Sequence, residues 1–344
     1  MNKIIHHQFS YFIVLIGMII NYQTPALGRY STEQIYNSVN PEKISNKLFR
    51  FIQDGKYGFI DEYGNVVISP QFDLADGFVG GLAQVKIGEK YGYINRIGKR
   101  VIPPKYRSSS TFENGLAVVT IDSKYGYING TGTTVISPQF EDAMGFKNGL
   151  APVQIGDKWG YITSDGKFRI QPQFEAALHF YEGLAAVQID GKWGYIDIDG
   201  KVVIQPKFES SFRFSEGLAA VQINDKYGYI NTAGYIVIPV QFQDAEEFSS
   251  GLAAVQIGEK WGYINPRGEN AIAFEFNRAA TFSQGLAAVK VGEKYGFIDK
   301  TGKIVISPKY ELALSFTDGL ALVYVRSRSG YINPEGKFVW KPTR

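Results

Sequence analysis

The chain contains no cysteine, which excludes disulfide frameworks, thiolate nucleophiles and cysteine-ligated metal sites. Histidine is almost as scarce. His6 and His7 lie in the N-terminal leader, leaving His179 as the only one beyond it, so histidine acid–base catalysis and histidine metal clusters have little to work with. Neither sign of charge dominates: 36 Lys and Arg against 33 Asp and Glu give a net charge of +3. The two signs are interspersed, and no basic stripe is available for nucleic-acid phosphates, so nucleic acid is not an expected partner. No glycine-rich loop followed by Lys-Ser or Lys-Thr exists to cradle a phosphate. Long apolar runs are missing as well. The longest, "YFIVLIGMII" at 11–20, falls short of the ~20 residues that a membrane helix needs.

That run nevertheless has a context. Lys3 precedes it, and Ala26 and Gly28 follow as small residues at −3 and −1 of a cleavage site, the pattern of a secretory signal peptide over residues 1–28 cut near Gly28-Arg29. The mature chain is then expected to be extracytoplasmic, secreted or periplasmic, with no membrane span after cleavage. Residues 29–47 are polar and read as a linker.

What is plentiful is glycine and aromatic side chains: 38 Gly, 4 Trp, 22 Tyr and 24 Phe, a composition of many short strands and tight turns. These residues recur with a fixed period. The Lys of "KYG" or "KWG" stands at 56, 90, 124, 158, 192, 226, 260 and 294, with Arg328 completing the series, a spacing of 34 throughout. Such regularity means that each unit contacts the next in the same way. Nine units start at Leu48, Leu82, Leu116, Leu150, Leu184, Leu218, Leu252, Leu286 and Leu320, so residues 48–344 form one repeat domain.

Within a unit, "LAAVQI" (184–189) alternates as a half-buried strand should. Asp190-Gly191 and its counterparts, such as Gly88-Glu89 and Asn224-Asp225, are the pairs that primed hairpin turns require. "KWGYID" is a second strand ending in Asp or Asn in eight of the nine units, with a Gly three residues later every time, which predicts a type I turn with a bulge. The third strand, "KVVIQP", is expected to end at Pro206. "KFESSFRFSEG" suits one or two helical turns stopped by Gly217. The expected unit is thus a three-stranded antiparallel meander plus a short helical connector.

This phrase, K-[WY]-G-[YF]-I-[DN]-x-x-G-x-x-V-I-x-P-x-[FY] followed by F-x-x-G-L-A-x-V, resembles the WG-repeat family over residues 48–342. The resemblance implies a β-rich repeat fold and no common activity. The namesake Trp is present only at Trp159, Trp193 and Trp261; Tyr57, Tyr91, Tyr125, Tyr227 and Tyr295 replace it elsewhere, and Ser329 ends the series. The expected fold class is an all-β tandem repeat. An open, curved β-solenoid is favoured over a closed propeller-like ring, because propellers usually have four strands per blade and often share one blade between the chain ends.

Chemistry is sparse in the repeat. "DIDG" at 197–200 lacks the spaced Glu of a calcium loop and reads as a turn. Glu246-Glu247 is an unusual acidic pair in a connector, and His179 occupies a variable connector position. No catalytic, metal or cofactor residue is expected, and no cofactor. The aromatic row on the second strand forms ladders between units if buried, or a stripe suited to sugar rings or peptides if exposed. The candidate ligand contacts are Trp159, Trp193 and Trp261, together with Gln154, Gln188, Gln222 and Gln256. Elsewhere in the repeat the position of these Gln varies, with residues such as Lys86, Thr120, Lys290 and Tyr324. The expected function is a non-enzymatic scaffold presenting an extended surface to a protein or cell-envelope glycan. The alternatives are a structural spacer of the envelope and, less favoured, an envelope glycan hydrolase.

Overall fold

The computed structural model describes residues 47–341; the expected signal peptide and nearly all of the expected linker lie outside the described residues. The unit containing Trp193 shows how the repeat is built. Ala176–Ala177 pairs with Ala185–Ile189, which pairs with Lys192–Ile196, which pairs with Val202–Phe208, a four-stranded antiparallel meander. Nine such sheets follow one another, and we number them as blades 1–9 in chain order. Blades 1 and 3 have three strands by strict pairing; in blade 3 a bridge between Ser109 and Val119 stands where the short first strand lies elsewhere.

The connector is therefore a strand and not a helix, and no helix occurs among the described residues. In blade 6 Ser210–Ser211 pairs with Gln222 and Val221, and the chain turns back through Glu216-Gly217. Both residues have positive φ (55° and 79°), and Ser215 and Leu218 exchange two backbone hydrogen bonds, which defines a two-residue primed hairpin. Gly217 is thus a turn residue and not a helix stop.

The other turns follow the sequence reading. Asp190-Gly191 has φ values of 50° and 73°, as a type I′ turn requires, whereas Gly88, Gly156, Gly258 and Gly292 carry positive φ at the first turn position only. At the next corner Asp197 Oδ1 accepts the backbone N–H groups of Asp199 (3.0 Å) and Lys201 (2.9 Å), and Gly200 takes φ +83°. The last strand does not stop at Pro206. It runs on to Phe208 through a bulge, with a register shift between the pairs Trp193↔Phe208 and Tyr195↔Ile204. That bulge explains the Gly of the Trp-Gly pair: a Cβ on Gly194 would lie 2.5 Å from Ile204 O and 2.7 Å from Pro206 N.

The core lies between blades. Trp193, Tyr195, Ile204 and Phe208 of blade 5 pack on Ala219, Val221 and Ile230 of blade 6, and the same set recurs around the chain. In blades 2 to 7 the buried Tyr of the second strand donates its hydroxyl to a backbone carbonyl 17 residues on, as in Tyr195 to Phe212 O at 2.7 Å and Tyr229 to Glu246 O at 2.7 Å. A buried ring thus gains apolar contact while its one polar atom stays satisfied.

The ends meet. Tyr331 of blade 9 donates to Arg50 O of blade 1 at 2.8 Å, Phe49 packs on Tyr331 with ring centroids 5.4 Å apart, and Phe51 packs on Trp340 at 4.6 Å. A Cβ on Gly64 would lie 2.3 Å from Val339 O. Repeats in an open solenoid could not bring blades 1 and 9 into contact, so the architecture is a closed nine-bladed propeller ring, and the expectation of an open solenoid with helical connectors is overturned. Closure does not need a shared blade, because side chains of the first and last blades pack into one buried cluster across the join.

Candidate functional site

The three indoles are core residues: Trp159, Trp193 and Trp261 are 4%, 4% and 2% exposed. They occupy the inter-blade ladder beside Tyr161, Tyr195 and Tyr263, so the aromatic row is a brace rather than a stripe on the surface. The four Gln are placed beside them. Gln154, Gln188 and Gln256 sit directly across the strand pair from Trp159, Trp193 and Trp261, and Gln222 sits across from Tyr227. All four are half-buried.

On its other side each Gln faces the short first strand: Gln154 opposite Asp142, Gln188 opposite Ala176, Gln222 opposite Ser210 and Gln256 opposite Asp244. Lys86, Lys290 and Tyr324 face Leu74, Arg278 and Leu312 in the same way. A band of paired variable residues thus runs round the ring at the end carrying the Asp-Gly and Gly-Glu hairpins. Two cations in it lie over the aromatic brace, Lys86 5.6 Å from the Tyr91 ring centre and Arg278 5.7 Å from that of Trp261.

The most polar part of the band lies on blades 7 and 8. Asp244 opens the short first strand of blade 7, Glu246 follows immediately after its end, and Arg278 holds Asp244's position one blade on. Burial pushes the Glu246 carboxyl up to about 7, with the negative charges of Asp244 and Glu247 adding to the effect and Arg278 opposing it. Asp142 is raised as well, again chiefly by burial. The sequence reading singled out Glu246 but missed Asp142, Asp244 and Arg278. Their signal was present: they interrupt a strand position that is otherwise small, polar uncharged or apolar.

The other chemical candidates are occupied structurally. Glu247 forms a two-pronged ion pair with Arg213 of the preceding blade, and Arg213 also donates to Tyr181 Oη at 3.0 Å. His179 Nε2 lies 2.9 Å from Gly145 O, an acceptor only, so Nε2 carries a proton; burial lowers the pKa of the ring. The acid after the outer-strand aromatic caps a hairpin: Glu175 accepts from Gly191 N (2.9 Å) and Asp73 from Gly88 N (2.7 Å). Of the repeated Lys, Lys56 pairs with Asp73 and Lys124 with Glu141. No group of three or more metal-ligating side chains occurs among the described residues.

Comparison with known proteins adds the following. The family model described as "WG containing repeat" matches eight consecutive segments: 57–91, 91–125, 125–159, 159–193, 193–227, 227–261, 261–295 and 295–327. No curated protein matches the chain by sequence. Among solved structures, the crystal structure of a eukaryotic initiation factor is similar with a TM-score of 0.62 at 12% identity, covering 85% of this chain and 94% of that one. Citrobacter koseri AztD is similar with a TM-score of 0.42 at 13% identity, over 86% and 93% of the two chains. Kluyvelomyces marxianus Hsv2 also has a TM-score of 0.42, at 10% identity over 67% and 94%. At 12% identity the likeness to the initiation factor concerns the fold alone.

Proposed function

The chain belongs to the WG-containing repeat family, and from that premise we propose that it is a non-enzymatic scaffold whose rigid ring presents a band of variable residues to an extracytoplasmic protein or glycan. The observation that carries the reading is the contrast within each blade. The brace of Tyr, Ile and Phe is nearly uniform and fully buried, while the half-buried position beside it changes from Lys to Thr, Gln or Tyr. A fixed framework with one free position per blade suits binding through several modest contacts, because little conformational entropy is lost on association. Export to the periplasm or beyond rests on the leader at residues 1–28.

The test passes the purified protein over immobilised envelope glycans and extracytoplasmic proteins. The reading expects saturable retention that weakens when Gln154, Gln188, Gln222 and Gln256 are replaced together by Lys. Retention on neither class of surface contradicts it. A second reading, a structural spacer without a ligand, is favoured by one observation: all three WG-motif tryptophans are spent on the inter-blade core.

A further inference from the structure

The join between blades 9 and 1 differs from the other inter-blade contacts. In the rest of the ring the left-handed Gly of each second corner rests on an Ile of the preceding blade, as Gly98 on Ile68 or Gly200 on Ile170. At the join that Ile is replaced by Trp340, and Gly64 meets Val339 instead. Beside this altered contact opens a cleft of about 530 Å³. Glu62 and Tyr63 of blade 1 line one side, and Asp318, Asn333, Lys337 and Phe338 of blade 9 the other. The volume falls in the range of small-ligand sites.

Two residues of the cleft depart from the repeat. Glu62 is the one acid, and Tyr63 the one aromatic, at their positions in the nine units. Glu62 is half-buried, and its Oε2 is enclosed with no hydrogen-bond partner, so turning the side chain into the cleft would give that oxygen the donor it lacks. Tyr63 is 74% exposed, so its ring is available as a platform. In no other blade does the turn carry both features.

We propose that this cleft is a saccharide-binding site. A sugar hydroxyl both donates and accepts, and the cleft supplies both kinds of partner. Glu62 and Asp318 accept, the Lys337 ammonium and the Asn333 amide donate, and the faces of Tyr63 and Phe338 match the apolar face of a pyranose ring. Two carboxylates against one ammonium disfavour an anionic ligand, and an apolar one would leave both carboxylates unsatisfied. The assignment rests on the binding-scaffold reading and narrows it to one place and one ligand class.

The test titrates the full chain with glucose, galactose, N-acetylglucosamine and their β1,4-linked disaccharides at millimolar concentration, following ligand saturation-transfer signals and calorimetry. Tyr63→Ala and Glu62→Gln are compared with Tyr235→Ala, which removes a similarly exposed ring (72%) from blade 6. The expected result is saturable binding of at least one probe, weakened about tenfold or more by either seam variant and unchanged by Tyr235→Ala. No saturable binding of any probe, or binding indifferent to both seam variants, overturns the assignment. Retention on an envelope surface that survives both seam variants would overturn the seam site while leaving the scaffold reading standing; absence of retention of the unaltered protein on every surface and probe would remove both.

Discussion

Ser211 Oγ is buried without a hydrogen-bond partner, at a position held by Ala75, Ala143, Ala177, Ala245, Ala279 and Ala313 in six other blades. Ser211→Ala removes that orphaned hydroxyl and is expected to stabilise the protein by about 1 kcal/mol, read as a higher urea midpoint with an unchanged slope. Glu246 carries a pH-dependent cost. Its folded-state pKa lies above the unfolded value of about 4.5, so the fold favours the protonated acid. Below that value both states are protonated and nothing is lost; the penalty grows as pH rises towards about 7 and is complete above it. Glu246→Leu, the residue found at Leu178 and Leu314, should therefore raise the thermal midpoint at pH 8 by an amount that shrinks to little at pH 4, the full effect being on the order of 1–3 kcal/mol. An equal gain at both pH values would contradict the assignment. Tryptophan fluorescence reads the brace: in a Trp340→Phe background the remaining three indoles should resist acrylamide quenching. The sequence made Trp visible but not its environment, since alternation on the second strand places Trp193 and Tyr195 on one face without saying whether solvent or the next blade covers it. The Tyr replacements were the better clue, because either ring fills the same ladder.

At the scale of the element, the misread segment is the short first strand. Two residues are too few to show a period, and the aromatic spacing of "KFESSFRF" imitated a helix. The turn after it was legible. Asn114-Gly115, Asn148-Gly149 and Asp318-Gly319 are strong hairpin dipeptides ahead of a strand, and their positive φ values place them in the same I′ turn as Glu216-Gly217. Ser250 holds the first position of that turn with φ +59° and makes no side-chain hydrogen bond among the described residues. Ser250→Asn should stabilise by ~0.5 kcal/mol, since Asn tolerates the left-handed region better. Glu216→Asn should not, because Glu216 Oε2 accepts from Gly251 N of the next blade at 2.9 Å and that contact would be lost. Chemical denaturation of the pair separates turn propensity from the inter-blade bond.

For the whole molecule, closure depends on a few residues that break the repeat. Phe49 and Phe51 stand where the other blades have Ala and Val, as at Ala219 and Val221, and they fill the join against Tyr331 and Trp340. This signal was present in "LFRFIQ", but a unit-by-unit alignment treats it as imperfect repetition, and the lack of a blade shared between the chain ends argued for an open array. A shared blade alone does not decide closure. What decides it is whether the last blade's exposed core face finds a complement, and two aromatic rings in place of Ala and Val supply one. Phe49→Ala is accordingly expected to cost about 3–4 kcal/mol, focused on the join. The most direct measurement uses the absence of native cysteine: spin labels at Tyr63→Cys and Lys337→Cys, which line one cleft from opposite chain ends, report their separation by dipolar coupling. A closed ring predicts a single short distance that broadens and lengthens in Phe49→Ala. A long separation in the otherwise unaltered protein would contradict the ring.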